Sequence, residues 1–179
     1  MGTRDLVNGF STTMQPAHLR DVLIAELSDA LGADRRLLDA WPVLADAASA
    51  QTLKRFCAEG VDYTRERLRR LETAFSILQA HSAASSADAI GCLIKAALDV
   101  AGAGDAGPVR DAALLAGIQK LSHYGHASYA SIVGFAETLE EDAVAKLLDA
   151  SLDEKGEAIE VMMDMAADEI NPRAARADA

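Results

Sequence analysis

Apolar residues recur at spacings of three and four through most of this chain and nowhere alternate long enough to predict a strand. The first stripe runs Leu19, Val22, Leu23, Glu26, Leu27, Ala30, Leu37, Leu38 and Trp41, with Pro16 suited to the opening turn. Pro42 lacks a donor and clashes with the preceding turn, which predicts a kink or an end, then a short helical piece over 43–48. Ser49 stands as the N-cap of a second long helix, apolar at Leu53, Cys57, Val61, Thr64, Leu68, Leu71, Phe75 and Leu78. A polar run from His81 ends it, and Ser86 caps a shorter helix over 87–100. The glycine-rich stretch 101–108 is a breaker. The third long helix, over 109–137, aligns Leu115, Ile118, Leu121, Ser122, Gly125, Tyr129, Ile132 and Ala136. Thr138 and Glu141 have capping-box spacing for the last helix, which carries Val144, Leu148, Ser151, Lys155, Ile159 and Met162. Asn171-Pro172 is its expected stop.

Four long helices of about 25 residues would each span roughly 35–40 Å. Their connections run short, long, short, and the long one holds its own helix. That pattern predicts an all-α, ferritin-like four-helix bundle with one long crossover containing an extra short helix. The expected organisation is a flexible segment over 1–15, the bundle over 16–171 and a flexible tail over 172–179.

Composition narrows the function classes. The 179 residues are 50% hydrophobic but only 4% aromatic, a profile that suits closely packed helices. A net charge of −11 argues against nucleic-acid partners and anionic membrane surfaces. No apolar run approaches the roughly 20 residues needed to span a bilayer. The segment 1–15 lacks the basic-then-apolar layout of a secretory signal, so the expected location is cytoplasmic. Cys57 and Cys92 lie on apolar stripes, and buried, inert thiols are expected. No nucleophilic triad order, phosphate loop or dinucleotide fingerprint occurs.

Several segments in order carry a family resemblance. They are residues 23–30 (LIAELSDA), the proline-containing connector 41–48 (WPVLADAA), Thr64 with Arg70, Leu71, Glu72 and Phe75, residues 111–120 with His123 and Tyr124, and Leu147, Leu148, residues 152–155 and Asn171. Over Leu19 to Asn171 the chain resembles the YciE/YciF-type ferritin-like family. The resemblance implies a di-metal centre gripped by inward Glu and His side chains, with iron as the cofactor. It also implies that this chain has lost most of it. The family's inward ligand positions fall on Leu31, Gly60, Tyr63, Ser122, Gly125, Lys155 and Ile159, its polar Gln falls on Arg67, and one acid is kept as Glu154. Two divalent cations need several convergent hard anions, and these residues do not supply them.

The leading expectation is therefore a degenerate member without metal or cofactor: a non-enzymatic structural or interaction protein, associated with stress by resemblance alone. No catalytic, cofactor-binding or metal-ligating residue is assigned. Self-association as a homodimer is expected, with the face and any other protein partner unidentified. In the interior, Tyr63 is expected to fill room left by Gly60, Ser122 and Gly125, and Glu26 to pair with Lys155. The alternative is an iron-binding, ferroxidase-type protein with ligands drawn from Glu26, Asp29, Asp62, His123 and Glu154. His123 and His126, three apart, read as a packing residue and a solvated one rather than as a metal pair. A third reading is a small-molecule site beside Gly60, Ser122 and Gly125, with Lys155 and Arg67 as anion partners.

Overall fold

Helices form wherever the three-and-four spacing runs, in a computed structural model that describes residues 17–83 and 88–177. They are α1 (Leu19–Ala47), α2 (Gln51–Ile77), α3 (Asp88–Ala101), α4 (Pro108–Thr138), α5 (Asp142–Met165) and, after a π-helical stretch at Ala166–Ile170, α6 (Asn171–Ala177). Among the described residues there is no strand. Helix α1 packs along α2, α2 on α5, α5 along α4 and α4 on α1, closing a four-helix ring. The crossover helix α3 lies on α1 and α4. This is the ferritin-like bundle with a long, helix-bearing crossover. No described helix is long and apolar enough to cross a membrane. The segment 1–15 and Ser86 lie outside the described residues.

The apolar core comes in two layers. One gathers Leu37, Trp41, Leu53, Cys57, Ile94, Ile118 and Leu121. The other gathers Leu23, Leu27, Leu31, Leu71, Tyr129, Ile132 and Leu148. Between them lie buried polar side chains, Asp34, Thr64, Arg67 and Lys155, contributed by α1, α2 and α5.

Local breakers proved weaker than packing at two prolines. Helix α1 continues through Pro42 to Ala47, because Trp41, Leu44 and Ala45 are buried on either side while Pro42 itself faces solvent. The expected stop at Asn171-Pro172 is also absent. The π turn shifts the helical phase just before it, and the helix runs on through Pro172 into α6. Residues 172–177 are thus helical, in a segment that lies against α4.

Two caps differ from expectation as well. Thr138 is the last residue of α4, and its hydroxyl donates to the Gly134 carbonyl at 2.8 Å, while Glu141 takes the N-cap place of α5. For α2 the cap is Ala50 rather than Ser49. The missing side-chain acceptor comes from another helix. Asp111 of α4, only 3% exposed, accepts the Ser49 N–H at 2.7 Å and the Ala50 N–H at 2.8 Å. A carboxylate at a helix start also opposes the positive end of the helix dipole.

Replacing Asp111 with Ala would leave both N–H groups without an acceptor. Asp111→Ala is expected to lower unfolding stability by about 2 kcal/mol, measured by urea denaturation. A change near zero would show that this cap does not hold α2 in place.

Candidate functional site

Asp34 sits midway along α1, three residues after Leu31 and three before Leu37, so helical geometry points it inward with them. It is 2% exposed. Its Oδ2 accepts from the Tyr129 hydroxyl at 2.8 Å and from Arg67 Nε at 3.3 Å. Its Oδ1 lies 4.0 Å from Lys155 Nζ. The Lys155 ammonium also sits 5.2 Å from the centre of the Tyr129 ring, within cation–π range. Below Arg67, the fully buried Thr64 hydroxyl accepts from Arg67 Nη2 at 2.7 Å and from Trp41 Nε1 at 2.9 Å. Each of the four ring helices thus supplies a side chain to one polar layer.

Glycines make the room. A Cβ on Gly125 would lie 2.6 Å from Lys155 Nζ, and a Cβ on Gly60 would lie 2.9 Å from the Trp41 indole. Tyr63, expected to fill this space, is instead 54% exposed at the edge. The reason is angular: Tyr63 follows Gly60 by three residues, yet the α2 stripe that faces inward is Gly60, Thr64 and Arg67. Leu31 does fill core volume, and Ile159 is half-buried against the Trp41 layer.

The expected Glu26–Lys155 pair does not form, since Lys155 faces Asp34 and Glu26 lies half-buried elsewhere on α1. Partial burial, helped by neighbouring Asp29, raises the Glu26 carboxyl above its ordinary value. Burial pushes the Lys155 ammonium down to about 8, with Asp34 opposing the shift and Arg67 adding to it. Tyr129 moves well above 10, first through burial and then through Asp34, so its phenol keeps the proton that it donates. Burial likewise raises Cys57 to about 12, which leaves it an inert thiol. Cys92, expected to be buried, is exposed, because α3 turns Ile90, Ile94 and Ala97 inward instead.

The ligand set imagined for a surviving metal site is dispersed. Asp62 is exposed and paired with Arg65, His123 is exposed, and Glu154 is bound by Arg70 at 2.7 Å. Among the described residues no three His, Cys, Asp or Glu side chains converge as a metal-binding group. The charges at the centre point the same way. One carboxylate, Asp34, faces two cations, and the nearby Glu154 is taken up by Arg70. Two unit charges about 4 Å apart repel by about 4 kcal/mol at an effective dielectric of about 20, and a divalent ion doubles that. These residues do not fit a pair of divalent ions.

Beside the layer a cavity of about 170 Å³ opens between α2 and α5. Trp41, Phe56 and Gly60 form much of its wall, Arg67 and Lys155 reach it from the interior, and Tyr63 stands at its edge. The tight corner at Gly125 is taken up by Lys155. Sequence reasoning named Arg67 and Lys155 but missed Asp34. The signal was the gap in the α1 stripe between Leu31 and Leu37, which a 3.6-residue period must fill near 34.

Residues 18–175 match the family model described as a domain of unknown function, DUF892. Protein YciF of Escherichia coli strain K12 is 31% identical over 160 residues, which cover 87% of this chain and 95% of that protein. The crystal structure of E. coli YciF, described as a stress protein, has a TM-score of 0.84 to this fold at 30% identity, covering 87% of this chain and 99% of that one. YcfI of Rhodopseudomonas palustris, provisionally described as a structural protein, gives a TM-score of 0.78 at 25% identity, over 85% and 97% of the two chains.

The buried ammonium sets a pH dependence. Its folded value of about 8 lies below the ordinary 10.5, so between these limits the unfolded chain holds a proton that the folded chain has released. Stability contributed by this group therefore rises through that window and is constant below it. The unfolding free energy of the wild type minus that of Lys155→Met should grow by about 1–3 kcal/mol between about pH 7 and about pH 10. A flat difference would contradict the burial of a charged Lys155.

Proposed function

The chain belongs to the DUF892 family and is YciF-like along most of its length, and from that premise we propose that it is a metal-free member with a structural or interaction role. The observation that carries this reading is the pairing of Arg67 and Lys155 with Asp34 at the centre of the bundle. In this reading the protein's own cations take the place of metal cations, and the anions that would hold metal have been reduced to match. The role is non-catalytic: the Asp34 carboxylate is bonded by the Arg67 guanidinium and the Tyr129 phenol, and the Lys155 ammonium faces it at 4.0 Å.

A link to stress is favoured by the E. coli relative, whose crystal structure is described as that of a stress protein. A structural role is favoured by the description of the R. palustris protein. The reading includes a cytoplasmic location and a symmetric homodimer, as amphipathic helices of this length commonly form isologous pairs.

Metal analysis of protein purified from cells grown with added iron and manganese tests the reading directly. The expected content is far below one ion per chain. Near-stoichiometric iron or manganese would overturn it in favour of the di-metal alternative.

A further inference from the structure

We propose that the cavity beside the charged layer binds a small monocarboxylate with a short apolar body, its carboxylate set against Lys155 and Arg67. The assignment rests on the metal-free reading of the bundle centre. Lys155 is 6% exposed and forms part of the cavity wall. Its ion pair with Asp34 spans 4.0 Å, beyond hydrogen-bond length. Asp34 faces Lys155 only through Oδ1 and at this distance, while its Oδ2 is shared between Tyr129 and Arg67. Asp34 is the one carboxylate that faces both cations, and Glu154, which also acts on Lys155, is drawn to Arg70, so Lys155 has no acceptor at hydrogen-bond distance. A monoanion entering from the cavity supplies the missing acceptor.

The rest of the cavity selects the body of the ligand. Leu37, Trp41, Phe56 and Val161 offer apolar surface. The volume of about 170 Å³ is below the roughly 300–1,000 Å³ of drug-sized sites, which limits the ligand to a short chain. Glu59 and Glu157 are exposed at the mouth, so a second negative charge at the outer end is repelled. Glu154 also lines the cavity, but its charge is neutralised by Arg70 at 2.7 Å. Its Oε2 is buried without a donor, a place where a hydroxyl on the ligand would gain a bond.

Trp41 is the chain's one tryptophan and lies in the cavity wall, so its fluorescence reports occupancy. The probes are hexanoate, hexan-1-ol, hexylamine and adipate, titrated into full-length protein stripped with chelator and shown to be metal-free. Hexanoate should give a saturable change, with each of the other three weaker by about tenfold or more. Lys155→Met should abolish the preference for hexanoate over hexan-1-ol. Glu157→Lys, an exposed change at the mouth that leaves the core untouched, should strengthen adipate binding. No saturable response to hexanoate, or equal affinity for hexanoate and hexan-1-ol, would overturn the site. A silent titration of metal-free protein counts against this site alone, whereas stoichiometric metal counts against the proposed function.

Discussion

Burying two cations in the middle of a helical bundle requires an anion at the same depth, and Asp34 is that anion. Arg67 and Lys155 come from helices on different sides of the ring, and Asp34 from a third. The surrounding choices follow from this contact. Gly125 gives the Lys155 side chain its path, Gly60 lets Trp41 approach α2, and Thr64 ties Trp41 to Arg67. Tyr129 closes the layer from α4 with a hydrogen bond on one side and a ring face on the other. Every one of these groups would be costly to bury alone.

A buried charged layer stabilises less than an apolar one of the same shape, because desolvation offsets much of the attraction. We read its role as one of specificity. The two apolar layers are rich in Leu, Ile and Ala, and such surfaces can slide past one another by a helical turn with little penalty. A single plane in which Asp34 must meet Arg67, Tyr129 and Lys155 fixes the register of all four ring helices. Asp111 does comparable work at one end of the bundle, where it locks the α1–α2 turn to α4. Surface pairs such as Arg35–Glu72, at 3.8 Å and well exposed, contribute little beside these contacts.

The helices and the crossover were legible because apolar periodicity is a local signal, and the family was legible through the ordered segments that resemble it. The two prolines were misread because the breaker rule is local too. Burial of Trp41 and Leu44 carries α1 through Pro42, and the π turn prepares the chain for Pro172. At the site, the absence of acidic side chains at Ser122, Gly125 and Lys155, where the resemblance implies ligands, was readable position by position. What replaced them was not. Which side chain fills the space above a glycine depends on how neighbouring helices are rotated, so Trp41 and Lys155 could not be told from Tyr63. The partner of Lys155 was misplaced for the same reason: Glu26 and Asp34 both fall on the α1 stripe, and which of them meets Lys155 depends on how the helices pack. The Asp111 cap was out of reach for a different reason, since it joins residues 62 apart in sequence.

The central claim is that Asp34 is held in place by protein cations and they by it. A double-mutant cycle of Asp34→Ala and Lys155→Met, read by chemical denaturation near neutral pH, tests that coupling most directly. The account predicts that Asp34→Ala costs about 3–5 kcal/mol in the wild-type background and at least about 1 kcal/mol less once Lys155 is Met. Equal costs in the two backgrounds would contradict it.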